Sequence, residues 1–384
     1  MNGHGKRRLG AVLSLFGAMV LGAGAALAAD PIRIGAPLIL SGTGAFVGSA
    51  SKNAMEMVGE RVNAAGGIGG RKIEFLFYDT EAKPDVAVRM VKRLIESDNV
   101  TAIVGVSSSW EALPVLPIVE KAEVPTLIPA STDQIVEPVR KWVFKTPAGD
   151  RIVVAKMLDH MRAKGIKKMA LVSTQDGYGN GGREQVLKQA KDFGIEVVFD
   201  DRYTMEDTDV TPMLAKIKRS EAKAVVNWSA NRAPVVMTLN YRQLGIDLPL
   251  YHGHGALSDG YLKAVGDKAD GVMISGVKFQ AGASLPDGDP QKKAIGDFVA
   301  AYKAKYGAEP NQFGSAAYDA LNILLSAIAK AGTDKVKLRD AIEATAGHVG
   351  TGGTYNYSAA DHAGLKLDAV VVYKAEGGAW KLAN

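Results

Sequence analysis

The sequence contains no cysteine. Disulfide staples and thiolate metal sites are therefore excluded, and so is the thiol that tethers a lipid-anchored exported protein at its new N-terminus. Beyond residue 28 no segment approaches the ~20 consecutive apolar residues that span a bilayer. The enzyme signatures are missing too, with no Gly-x-Ser-x-Gly elbow, no His-Glu-x-x-His and no Walker-type loop. Charge of one sign is not in excess, since 46 Lys and Arg stand against 41 Asp and Glu, a balance that does not suggest a nucleic-acid partner.

What is present begins with Lys6, Arg7 and Arg8, followed by an uncharged apolar run from Leu9 to Leu27 that closes on Ala26-Leu27-Ala28. A basic start, an apolar run and a small-residue end predict a secretory signal peptide over residues 1–28, cut after Ala28, and hence a periplasmic protein. The competing reading is a membrane anchor, but Gly and Ala fill much of the run. Cleavage removes three basic and no acidic residues, so the remaining chain is nearly neutral and free of a membrane anchor. It is also too long for one ordinary core and predicts two domains.

From Ile32 onward, short β-rich runs alternate with amphipathic segments, the pattern of parallel sheets flanked by helices. "IRIGAPLIL", "KIEFLFYD" and "TAIVGV" read as strands, with helices over 50–64 and from Pro84 to Asp98. A second series places helices at 151–163, 183–193, 210–219 and 234–244 between the strands "KKMALVS", "IEVVFD", "AKAVVNW" and "LPLYH". "KTPAGD" (145–150) separates the series and reads as a linker. Long helices over 290–306 and 312–332 follow, then the strands "LDAVVVY" and "AWKL". The fold class is α/β, as two doubly wound parallel-sheet lobes.

In open parallel sheets ligands bind beyond the carboxyl ends of strands. "SGTGAFVG" (41–48) resembles a dinucleotide fingerprint, but it has one residue too many before its last glycine and no basic phosphate partner. "VSSSWE" (106–111) sets three hydroxyls before a helix, a chemistry that accepts an anion with help from the macrodipole. One of those serines is also explained as a plain N-cap. "PASTD" (129–133) adds Ser131 and Thr132, on a loop that spacing alone leaves open between a binding loop and an ordinary polar turn. His252 and His254 in "YHGHG" lack the third and fourth ligands zinc requires, so neither metal nor cofactor is expected. Strand alternation points both rings to one side.

These loops together resemble the type I periplasmic solute-binding proteins of ABC importers, specifically the branched-chain-amino-acid-binding family. The stretches that carry the likeness are "IRIGAPLILSGTGAFVG", "VNAAGGIGGRKIEFLFYDTEAKPDVAV", "AIVGVSSS", "VPTLIPAST", "VFKTPAGD" and "DGYGNGG", which together span essentially the whole chain after residue 28. The resemblance implies a non-catalytic, monomeric protein with two lobes joined by a three-segment hinge, closing on a ligand it passes to a membrane permease. Carried onto this chain, lobe one is 29–149 with 278–366, and lobe two is 150–277 with 367–384. It implies that a ligand carboxylate is held by Ser107, Ser108, Ala130, Ser131 and Thr132, with Tyr178 facing them.

Amino-acid-binding members commonly carry a carboxylate where this chain has His254, and an aromatic residue near Asn231, which Arg232 follows here. A buried ammonium without an anion is costly. Phe46, Trp110 and Tyr178 lie in cleft loops and are candidates to sandwich a flat ring. The resulting expectation is a small aromatic, benzoate-like carboxylate. The alternative is a branched-chain or other amino acid, with Asp176 as a candidate anion for its ammonium, and a periplasmic hydrolase or metal enzyme is more remote.

Overall fold

A computed structural model describes residues 1–3, 30–42 and 44–383; the expected signal segment and its cleavage point lie outside the described residues. In the first series β1 (Ile32–Leu38), α1 (Ala45–Ala64), β2 (Ile73–Asp79), α2 (Pro84–Glu96), β3 (Ala102–Val104), α3 (Ser109–Ala122), β4 (Thr126–Ile128) and β5 (Val143–Lys145) follow one another. The second series runs α4 (Asp150–Ala163), β6 (Lys168–Thr174), α5 (Gly177–Gln189), β7 (Glu196–Tyr203), α6 (Thr211–Lys218), β8 (Val225–Trp228), α7 (Ala233–Gln243), β9 (Leu250–His252), α8 (Asp259–Val265) and β10 (Met273–Val277). The chain then makes α9 (Pro290–Tyr306), α10 (Gln312–Ala331) and α11 (Lys335–Glu343), the short hairpin β11 (His348–Val349) and β12 (Thr354–Tyr355), and finally β13 (Val370–Glu376) and β14 (Ala379–Leu382).

The first sheet is fully parallel, in the order β2-β1-β3-β4-β5. β1 is buried at every position except Arg33, as expected of a strand covered by helices on both faces. α2 starts with Pro84 in its first turn, where a missing N–H costs nothing, and buries Val86, Ala87, Val91 and Leu94 at helical spacing. The glycines of "SGTGAFVG" serve packing. Gly42 adopts a left-handed φ of 74°, and a side chain on Gly48 would come within 1.9 Å of the Ile39 carbonyl oxygen, so α1 folds back tightly over the end of β1.

The second sheet has the order β14-β13-β10-β9-β8-β6-β7. β10 to β7 pair in parallel, whereas β13 and β14 add on antiparallel. The chain thus passes from the first lobe to the second after β5, returns after β10 to pack α10 on α1, and crosses again before β13. This is the two-lobe, three-crossing architecture expected from the sequence. Helix starts differ where glycine misleads. α5 begins at Gly177, ahead of the expected 183, because the Asp176 carboxylate caps it by accepting from the N–H groups of Tyr178 (2.8 Å) and Gly179 (3.1 Å).

Candidate ligand-binding site

A cavity lies between the lobes at the carboxyl ends of both sheets, lined by apolar groups from Val47, Trp110, Ala148, Val153, Val277, Phe313 and Ala316. Ser107, Ser108 and Ser109 line it from one lobe, Tyr178, Asn231 and His254 from the other. It leaves about 90 Å³ for the centres of water-sized molecules, far more than the ~10–15 Å³ one water needs and suited to a small metabolite. The lobes touch around it. Gln312 Nε2 donates to the His254 carbonyl at 2.9 Å and Gln134 Nε2 to the Glu184 carboxylate at 3.0 Å, so the cleft is closed.

The serine loop leads into α3, with Ser108 as the N-cap and Ser109 as the first helical residue. No side chain caps the helix, which leaves its first N–H groups directed toward the cavity end of α3. Ser107 Oγ accepts from the Ile39 N–H at 3.2 Å and Ser109 Oγ from the Thr132 N–H at 3.3 Å. Both hydroxyls therefore keep their own hydrogen free to donate. Ser108 Oγ is bonded instead to Glu111 Oε2 at 2.7 Å.

Opposite them, Tyr178 is buried at the start of α5, and its hydroxyl accepts from the Gly255 N–H at 2.8 Å. His254 stands edge-on to Tyr178 (ring centroids 5.4 Å apart) and to Trp228 (5.6 Å). Both ring nitrogens of His254 lack a partner, and burial, with Lys145 nearby, pulls its pKa down to about 3. His252 does not share this wall. It joins a buried network with Asn227 and Thr238, each 2.8 Å away, because β9 ends at His252 and Gly253 opens a 3₁₀ turn that breaks the alternation.

The residue that sequence reasoning missed is Asp150. It is fully buried, neither carboxylate oxygen has a hydrogen-bond partner, and Oδ1 is 4.0 Å from His254 Nε2. Burial, reinforced by Asp133, raises its pKa well above the usual carboxylate range. The "KTPAGD" linker that carries it is a buried crossing: Thr146, Pro147 and Ala148 line the cavity, and Lys145, wholly buried, donates to the Ser131 carbonyl and lies 3.7 Å from Asp133.

Of the expected site residues, Ser107, Ser108, Ala130, Ser131, Trp110, Tyr178, Asn231 and His254 line the cavity. Three do not. Phe46 is 43% exposed and rests edge-on against Phe313, which takes its place, so the expected aromatic sandwich is incomplete. Arg232 is exposed at the N-cap of α7. Thr132 sits behind the wall, fully buried, its hydroxyl unpartnered beside Asp150. Asp176 is occupied as a helix cap and does not line the cavity. Among the described residues no group of three or more His, Asp or Glu is placed to hold a metal ion.

Residues 31–379 match the family described as periplasmic binding protein. The chain belongs to that family. As a periplasmic binding protein it is the solute-binding component of an ABC-type transporter and not an enzyme, and none of its described helices is long and apolar enough to cross a membrane. It is 27% identical over 353 residues, 88% of this chain and 89% of the relative, to a leucine-, isoleucine-, valine-, threonine- and alanine-binding protein of Pseudomonas aeruginosa. An extracellular ligand-binding receptor from Rhodopseudomonas palustris superposes with a TM-score of 0.87 at 26% identity, covering 92% of this chain and 99% of that one. The isoleucine complex of a branched-chain amino acid binding protein from Streptococcus pneumoniae shares the fold, with a TM-score of 0.80 at 24% identity over 91% of this chain and 98% of that one.

Proposed function

We propose that this periplasmic binding protein captures an amino acid with an apolar, branched-chain-type side chain and passes it to the permease of its ABC importer. The ligand carboxylate is received by the serine loop, where the hydroxyls of Ser107 and Ser109 and the start of α3 offer donors. Its apolar side chain is received by Val47, Val153, Val277 and Phe313.

The observation that carries this reading is Asp150. The case for a ligand without an ammonium rested on the histidine at position 254 and the missing anion there. Asp150 lies behind the cavity wall beside Thr132, but its buried carboxylate, with no hydrogen-bond partner and 4.0 Å from that histidine, supports an anion supplied from a different element. An ammonium entering there gives Asp150 the partner it lacks, and charge-assisted bonds of this kind contribute about 1.5–3 kcal/mol. The ligand range in the Pseudomonas relative's name is of the same class. The aromatic-acid expectation is the less supported of the two, since Phe46 does not line the cavity and the Pseudomonas relative is named for aliphatic amino acids, although Trp110, Tyr178 and Phe313 do line it.

A thermal-shift panel of leucine, isoleucine, valine, threonine and alanine beside benzoate and hydroxybenzoates tests the proposal. Selective stabilisation by the aliphatic amino acids is expected. Stabilisation by the aromatic acids alone overturns it.

A further inference from the structure

Glu111 is the third residue of α3 and is completely buried beneath the serine loop. Its Oε2 is bonded to Ser108 Oγ at 2.7 Å, its Oε1 has no partner, and no cation pairs with it among the described residues. Ser108-x-x-Glu111 has the spacing of a capping box, in which each side chain would bond a backbone N–H of the other residue. Neither bond forms here, and the two side chains bond each other.

Three neighbouring hydroxyls then pose a question of polarity. Ser107 and Ser109 accept from backbone N–H groups and keep their own hydrogens free to donate into the cavity they line. An ionised Glu111 can only accept, so Ser108 would spend its single hydrogen on it and show lone pairs to the cavity beside those two donors. It would also set a negative charge directly behind an anion subsite. A protonated Glu111 reverses the chain: its O–H donates to Ser108 Oγ, and the Ser108 hydrogen is free to point outward. All three serines that line the cavity are then free to donate.

We propose that Glu111 is a positioning residue whose carboxyl, holding its proton, donates to Ser108 Oγ and so aims the Ser108 hydroxyl at the carboxylate of the bound ligand. The inference rests on the reading of the serine loop as a carboxylate subsite. The groups around Glu111 act in both directions. Burial raises its pKa, and Asp79 across the loop adds to that. The Ser108 hydrogen bond and the nearby Thr80 hydroxyl oppose it, and so does the α3 macrodipole; the balance is upward. A neutral carboxylic acid kept in an apolar setting to donate a hydrogen bond is a known device of oxyanion sites.

Infrared difference spectra of the full protein with leucine, wild type minus Glu111→Gln, read the proton directly. The expected signature is a protonated carboxylic C=O stretch, which Ser108→Ala shifts by removing the acceptor. In calorimetry Glu111→Gln, whose amide also donates to Ser108, should bind leucine within threefold of wild type, whereas Ser108→Ala should bind about tenfold more weakly. A carboxylate signature at Glu111, a stretch that ignores Ser108→Ala, or a loss above tenfold in Glu111→Gln overturns the proposal. Should Glu111→Gln not fold, the shift between wild type and Ser108→Ala still decides. The two readings fail separately: a wild type stabilised by no amino acid sinks the amino-acid reading, while an ionised Glu111 in the unliganded spectrum sinks the relay whichever carboxylate binds.

Discussion

His254 Nε2 and Asp150 Oδ1 stand 4.0 Å apart within the second lobe, the first on the turn after β9 and the second at the first residue of α4. Neither atom has a hydrogen-bond partner. Burial drives the two toward their uncharged forms, the histidine downward and the acid upward in pKa. Burial thus favours the neutral form of both groups, and on the proposed reading the ammonium of an amino-acid ligand would favour ionisation of Asp150.

Asp150→Asn separates ligand binding from stability. Asp133, Lys145, Glu184, Thr132, Tyr178 and His254 all face this carboxyl, and the net effect keeps its proton on to higher pH than in the unfolded chain. The folded state thus binds more protons than the unfolded one above the ordinary Asp value of ~3.9, and Asp150 costs stability as pH rises toward its folded pKa. Thermal melts should show the unliganded variant more stable than wild type at pH 7.5, the gain shrinking toward pH 4. Calorimetry should show leucine binding weakened by about 10–100-fold, the loss of one charge-assisted contact.

Binding should also move protons. Pairing with an ammonium ionises Asp150, so leucine binding in buffers of different ionisation enthalpy should reveal proton release that Asp150→Asn lacks. Identical proton exchange in the two proteins would place the ammonium elsewhere.

The histidines act in the opposite sense. His252 and His254 are both held at about 3, against an ordinary value near 6.5. Between those values the unfolded chain binds the extra proton, so the stability each histidine contributes is full above pH 6.5 and is lost as pH falls toward 3. Urea unfolding at pH 7.5 and pH 5 should show His254→Gln losing about 2 kcal/mol less than wild type over that interval.

Two adjacent glycines of α5 should fail in different ways. A side chain on Gly181 would come within 2.3 Å of Thr132 Oγ1, on the opposite lobe, and 2.6 Å of Asp150 Oδ2. One on Gly182 would come within 2.1 Å of the Trp228 ring in its own lobe. Gly181→Ala should lower the unliganded melting temperature less than Gly182→Ala does, but bind leucine at least tenfold more weakly, with scattering showing incomplete closure. Gly182→Ala should act chiefly on the melting temperature itself, through overpacking that typically costs about 1–3 kcal/mol.

Strands such as Ile32–Leu38, and helices such as Pro84–Glu96, were legible because each is decided by its own periodicity. The serine loop was legible because its chemistry is local: three hydroxyls at a helix start need no distant partner to be recognised. Asp150 was not, since "KTPAGD" has the composition of a linker, and only the meeting of β5, α4 and the turn after β9 buries its acid. Thr132 and Phe46 fail for the same reason. Sequence puts them on the right loops, but side-chain direction is set by neighbours such as Phe313 and Gly181 that lie far away along the chain. His252 shows the limit of alternation, which ends where its strand does.

The three passages of the chain between the sheets have a mechanical meaning. One flexible tether would let the lobes swivel and twist freely, whereas three separate ties at one edge suppress twisting and sliding and leave a single bending axis. A joint of this kind would bring Gly181 against Thr132 and Gln312 against the His254 carbonyl in one alignment, the one seen here. The search for the closed arrangement is thereby reduced from a docking problem in six coordinates to motion along one.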